Sequence, residues 1–212
     1  MNRITRSRPA AAAVLLAALL GAGCASPRID GQWSDPSFAS RSLSGQTVLV
    51  SCRAPDATLA RICEQRIADE LREAGARPVI APAPVDAAGG NDAVARAARA
   101  AGARSAVAAS VAVAGVTQAA FGPSLGFGFG GGFGGGRGGI GFGGIGMSVP
   151  LGGVRPQTAY SMGQALVDAE SGREMWSVRA TSPNTDDAGV QVAELARATV
   201  GTMREAGLFI AR

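Results

Sequence analysis

Thr47-Val48-Leu49-Val50-Ser51-Cys52 (TVLVSC) is a short, β-branched apolar run of the kind that forms a buried strand. Pro55-Asp56 follows it and opens a helix. Leu59, Ile62, Cys63, Ile67 and Leu71 recur on one face at helical spacing. Arg61, Glu64, Arg66, Glu70 and Arg72 fall largely on the other. Gly75 stands where a left-handed cap ends a helix, and Pro78 to Ala81 (PVIA) reads as a second strand. A strand–helix–strand crossover of this kind favours parallel pairing.

The same grammar continues downstream. Asp92 caps a second, Ala-rich helix that runs to Ala101 and stops at Gly102. In Ser105 to Gln118, Val107, Val111 and Val113 share one parity, which reads as a strand, although alanine on propensity alone favours helix. Gln157 to Val167 and Arg173 to Thr181 form two further strands. Asp168-Ala169-Glu170-Ser171-Gly172 joins them as a polar turn ending in glycine, a hairpin pattern. Asn184 to Asp187 offers caps for a last helix with Val192, Leu195, Ala196, Thr199 and Met203 on its apolar side. Gly207 ends that helix, and Leu208, Phe209 and Ile210 dock the carboxyl end. The expected fold is α/β (α+β): a mixed sheet in the order β-α-β-α-β, a glycine-rich loop, β-β-α, with helices packed on it.

Upstream, Met1 to Arg8 carries Arg3, Arg6 and Arg8 and no acid, and Ala10 to Leu20 is unbroken and apolar. That run is shorter than the roughly 20 residues a spanning helix needs. A charged start, a short apolar stretch and small residues at Gly21, Ala22 and Gly23 are the parts of a signal peptide, residues 1–23. Residues 24–45 are polar and broken by Pro27, Gly31, Pro36 and Gly45. They read as a tether, on which Trp33 and Phe38 are apolar exceptions that could pack on the domain. Residues 46–212 then form one domain.

The stretch Leu19-Leu20-Gly21-Ala22-Gly23-Cys24 resembles the lipobox of bacterial lipoproteins. It departs from that pattern at Gly21, where the family prefers Leu. The resemblance implies cleavage before Cys24 and acylation there, palmitate included, with the lipid bilayer as a partner. Ala25, rather than Asp, after the cysteine implies the outer membrane, with the domain facing the periplasm.

Composition excludes several chemistries. The chain has no His and no Lys, so a Ser-His-Asp centre, a Schiff base and a His-containing zinc site are out. The formal charge of +4 falls to +1 once the three signal arginines are set aside. The remaining arginines are scattered among acids, without the basic run that nucleic-acid binding leaves. Asp168/Glu170 and Asp186-Asp187 are the tight carboxylate pairs. A turn and a helix cap explain them without catalysis. No catalytic residue, metal ligand or cofactor is expected.

With Cys24 assigned to lipid, Cys52 and Cys63 remain, an even pair in an oxidising compartment. One structural disulfide is preferred over two buried thiols.

Residues 121–153 hold 17 glycines, five of the seven phenylalanines, one Arg and no acid. Gly130, Gly132 and Gly135 spell a dinucleotide pattern, but no helix can start at Gly135, so no nucleotide is expected. Two readings of this insertion stand. One is a disordered excursion at a hairpin tip, since glycine loses much entropy on ordering. The other is a contact loop for a partner or membrane through Phe127, Phe129, Phe133, Arg137 and Phe142, with Ile140 beside them.

Two segments carry a wider resemblance. Ala100 to Ser110 (AAGARSAVAAS) and Leu166 to Ser177 (LVDAESGREMWS) are similar to a strand entry and a hairpin of TolB amino-terminal modules and curli-secretion-type lipoproteins. The likeness runs over roughly residues 47–210. It implies a membrane-tethered, non-enzymatic periplasmic domain acting through protein contacts, and no catalytic residue carries over. The expected function is that of a scaffold or envelope assembly factor binding another envelope protein. The alternative is an oligomeric secretion-channel or pore subunit that inserts the glycine-rich hairpin.

Overall fold

The computed structural model describes residues 26–38, 41–85, 89–120, 124–127, 147–150 and 154–210. Its strands are β1 (Arg28–Ser34), β2 (Thr47–Arg53), β3 (Arg77–Ile80), β4 (Ser105–Ala120), β5 (Ser124–Phe127), β6 (Met147–Pro150), β7 (Val154–Asp168) and β8 (Glu174–Thr181). Its helices are α1 (Ala57–Glu73), α2 (Gly90–Ala100) and α3 (Ala188–Glu205). Six strands form one sheet in the order β1-β8-β7-β4-β2-β3, and β5 pairs with β6 separately. The strands β3, β2 and β4 are parallel, as the two crossovers require, and the remaining pairs are antiparallel. The class is therefore mixed α/β, as expected from the sequence.

The apolar run of β2 is continuous because both of its faces are covered. Val48, Val50 and Cys52 point to one side, where α1 and α3 bring Ile67, Leu71, Leu195 and Met203 against Val107, Met162, Leu166 and Trp176. Leu49 points to the other, where α2 lays Val94, Ala95 and Ala98 on Ala106 and Val167. Side chains cap two helices. Asp56 accepts from the Leu59 N–H and Asp187 from the Val190 N–H, both at 2.9 Å. Gly75 takes the left-handed conformation expected of it, at φ +95°.

Several local expectations need correcting. Residues 28–34, read as part of a tether, form β1 and extend the sheet along β8. Polar composition hides an edge strand, because neither face of β1 is fully covered. Phe38 and Leu43 are buried, and the Leu43 N–H donates to the Leu208 carbonyl at 2.7 Å, whereas Trp33 stays exposed. Glu64, placed on the polar face of α1, is buried. Its carboxylate accepts from the Cys52 N–H at 3.4 Å and from Arg61 at 3.1 Å. The helix α2 starts at Gly90 with no side-chain cap, so Asp92 lies in its first turn. Ile210 is exposed, while Leu208 docks. Cys52 and Cys63 are joined as a disulfide, tying the end of β2 to α1 across a Cα separation of 6.1 Å.

Candidate functional site

The helix α2 covers only one end of its face of the sheet. Beyond it the floor is made of Ala108 and Ser110 on β4, Gly163 and Ala165 on β7, and Ser177 on β8. Alternation puts these on the face opposite Val107, Gln164 and Trp176, so short side chains line one side of three adjacent strands. Trp33 on β1 is paired with Ser177, and Arg179 on β8 with Gly31. These two larger side chains, with Asp30, Gln32 and Glu174, rim an open groove of about 540 Å³. Trp33 is 49% exposed. A half-exposed Trp above a floor of Gly, Ala and Ser is an apolar platform with a polar handle. The small residues at alternate positions of β4 and β7 were visible in the sequence. What they line depends on β1, an edge strand that polar composition hides.

A second feature is the length of β4 and β7. The ladder of β2 on β4 ends at Arg53↔Ser110, and that of β8 on β7 at Thr181↔Ser161. The β4–β7 ladder continues to Ala120↔Val154, so the two strands project past the sheet as a ribbon. Among the described residues, no strand pairs with the β2 side of β4 beyond Ser110. The sheet's other edges carry features that discourage pairing. The edge strand β3 is four residues long with Arg77 and Pro78, and β1 has Arg28, Asp30 and a bulge. Val111 to Gln118 has a bulge at Ala114 but neither charge nor proline.

A latch holds the amino-terminal segment to the β7–β8 turn. Phe38 lies between two guanidinium groups, Arg41 at 5.3 Å and Arg173 at 5.2 Å from its ring centre. Arg41 donates to Asp168 at 2.6 Å, and Arg173 to Asp35 at 2.5 Å. Burial alone would raise the Asp168 pKa. Two hydrogen bonds from Ser171 and the Arg41 charge outweigh it and hold the carboxyl below its ordinary range. Asp168 and Asp187 thus serve a turn and a helix cap, and Glu170 and Asp186 are exposed beside them. Among the described residues, no group of three or more His, Cys, Asp or Glu is placed to hold a metal ion. No helix among them is long and apolar enough to cross a membrane.

Cys24, Phe129, Phe133, Arg137, Phe142 and the Gly130–Gly135 pattern lie outside the described residues. Phe127 ends β5, where its backbone is registered with Met147 of β6.

No family model matches the chain, and no curated protein matches it. Among solved structures, it is similar to a PelC dodecamer from Paraburkholderia phytofirmans, with 18% identity over 88% of this chain and 99% of that one and a TM-score of 0.47. It is also similar to the lipoprotein GNA1162 from Neisseria meningitidis, with 15% identity over 76% of this chain and 99% of that one and a TM-score of 0.42.

Proposed function

We propose that this chain is a lipoprotein held at the outer membrane through acylated Cys24, whose non-catalytic periplasmic domain binds another envelope protein as a scaffold or assembly factor. The observation that carries the reading is the uncovered half of the sheet. Trp33 stands over a floor of Ala108, Ser110, Gly163, Ala165 and Ser177, and the β4 edge beside it has an open backbone. Both are surfaces for protein contact: an aromatic anchor for a side-chain pocket and an edge for an added strand. One carboxylate of each sequence pair, Asp168 and Asp187, is engaged in a turn or a cap, which supports a non-catalytic role.

The test is site-specific photo-crosslinking in living cells with the probe at Trp33 and, separately, at Arg179, two side chains on the rim of the groove. A discrete protein adduct identified by mass is expected. The reading fails if neither position gives an adduct while the protein is present and folded. Palmitate incorporation that disappears in Cys24→Ser tests the anchor independently.

The projecting ribbon favours a second reading, an oligomeric secretion-channel or pore subunit. Rings that survive mild detergent extraction would support it, and a monomer would count against it.

A further inference from the structure

The register fixes where the amino terminus leaves the domain. Arg28, the first residue of β1, is level with Thr181 of β8, and Thr181 is level with Ser161 of β7. From that level, the chain upstream of Arg28 and the ribbon of β4 and β7 leave the same end of the sheet. Cys24 is four residues before Arg28, which at full extension reach about 14 Å. The ribbon continues for seven residues from Ser161 to Val154, or about 23 Å of strand. An acyl group on Cys24 therefore holds this end of the sheet closer to a bilayer than the ribbon is long. With its strands directed at the bilayer the ribbon reaches the lipid, and with its strands parallel to the bilayer it lies along the surface.

One ribbon face suits that contact. Val113 is registered with Tyr160 and Val116 with Thr158. Residues three apart on a regular strand face opposite ways, but the bulge at Ala114 restores parity and puts both valines on one face. Val154 and Pro156 share that face through the even-numbered positions of β7. Val113, Val116 and Val154 are 53%, 60% and 55% exposed. Over residues 111–118 and 154–161 the one charged residue is Arg155, and Asp186 is the acid that lies beside Pro156, Thr158 and Tyr160 at the base of this face.

We propose that the ribbon face bearing Val113, Val116 and Val154 rests on the membrane leaflet that holds Cys24. This contact rests on the acylation of Cys24 and assigns the lipid bilayer, rather than a protein, to this face. It leaves the groove at Trp33 for the protein partner.

The test uses the full-length lipidated protein carrying Val116→Cys. With Cys24 blocked by its thioether and Cys52 bonded to Cys63, the introduced thiol is the one that labels. An environment-sensitive fluorophore is attached, and the protein is placed in phosphatidylethanolamine–phosphatidylglycerol vesicles with or without nitroxide-bearing lipid. Loss of most of the emission to the lipid nitroxide is expected. The same probe at Val79→Cys should keep its emission, because Val79 lies on β3 level with Val167, at the far end of the sheet. Full emission at Val116→Cys, with palmitate present on the protein, overturns the contact while leaving the anchor standing. A blue-shifted emission that lipid nitroxide does not touch also overturns it, and points to a protein or a second copy on this face. Absence of palmitate removes the anchor and the contact together. Val113→Cys provides a second site should Val116→Cys fold poorly.

Discussion

Arg41 donates to Asp168 at 2.6 Å, joining the amino-terminal segment to the β7–β8 turn across 127 residues of sequence. Asp168 also accepts from the Ser171 N–H and hydroxyl, so one buried carboxylate closes the turn and clamps the chain that leads to β1. Replacing it with Asn removes the charge from three hydrogen bonds. Asp168→Asn should lower stability by about 2 kcal/mol at neutral pH. The folded pKa of Asp168 is depressed. Its contribution is therefore complete above the unfolded carboxylate value of about 3.9 and declines as pH falls through the lower folded value. Urea denaturation should show wild type and Asp168→Asn converging below about pH 4. A gap that persists unchanged into acid would mean that the charge is not what stabilises the turn.

The Cys52–Cys63 bond spans 11 residues. Closing a loop of that size in the unfolded chain stabilises by about 3 kcal/mol. A reducing agent should therefore shift the wild-type denaturation midpoint downward and leave a Cys52→Ala, Cys63→Ala double variant unmoved. Equal sensitivity of the two proteins would contradict this assignment.

Gln164 sits inside the larger core with its carbonyl oxygen unpartnered, while its amide nitrogen reaches only the Met162 sulfur at 3.3 Å. Such an orphaned acceptor costs about 1–2 kcal/mol. Gln164→Met keeps the length and removes the acceptor, so calorimetry should record a higher Tm. A lower Tm would show that the amide is satisfied in solution.

Gly172 closes the β7–β8 turn at φ +71°, and a Cβ there would stand 2.9 Å from the Asp92 Oδ1 of α2. The left-handed backbone costs an L-residue about 1–2 kcal/mol. Gly172→Ala should lower Tm by a few degrees, about 2–4 °C per kcal/mol for a domain of this size. An unchanged Tm would mean that the turn relaxes into another form.

Much of this architecture is local in origin and was legible residue by residue. The continuous run of β2, the periodic faces of α1 and α3, the caps at Asp56 and Asp187 and the hairpin ending at Gly172 each depend on neighbours within a few positions. Local propensity and hydrophobic period therefore sufficed to read them. Glu64 shows where that reading ends. Its helical spacing is polar, yet it is buried, because the Cys52 N–H comes to it from another element.

The sequence by itself determined the mixed α/β class, the absence of histidine and lysine chemistry, and the cysteine pair available for a disulfide. The tertiary structure alone decided that residues 28–34 are a strand, since a polar edge strand is stabilised by hydrogen bonds to β8 and not by any pattern of its own. That strand carries Trp33 to the groove. Its register with Thr181 also places Arg28, where the strand begins, at the end from which the β4–β7 ribbon projects. Both are relations between segments far apart in sequence, and strand pairing, which no local spacing encodes, is what sets them.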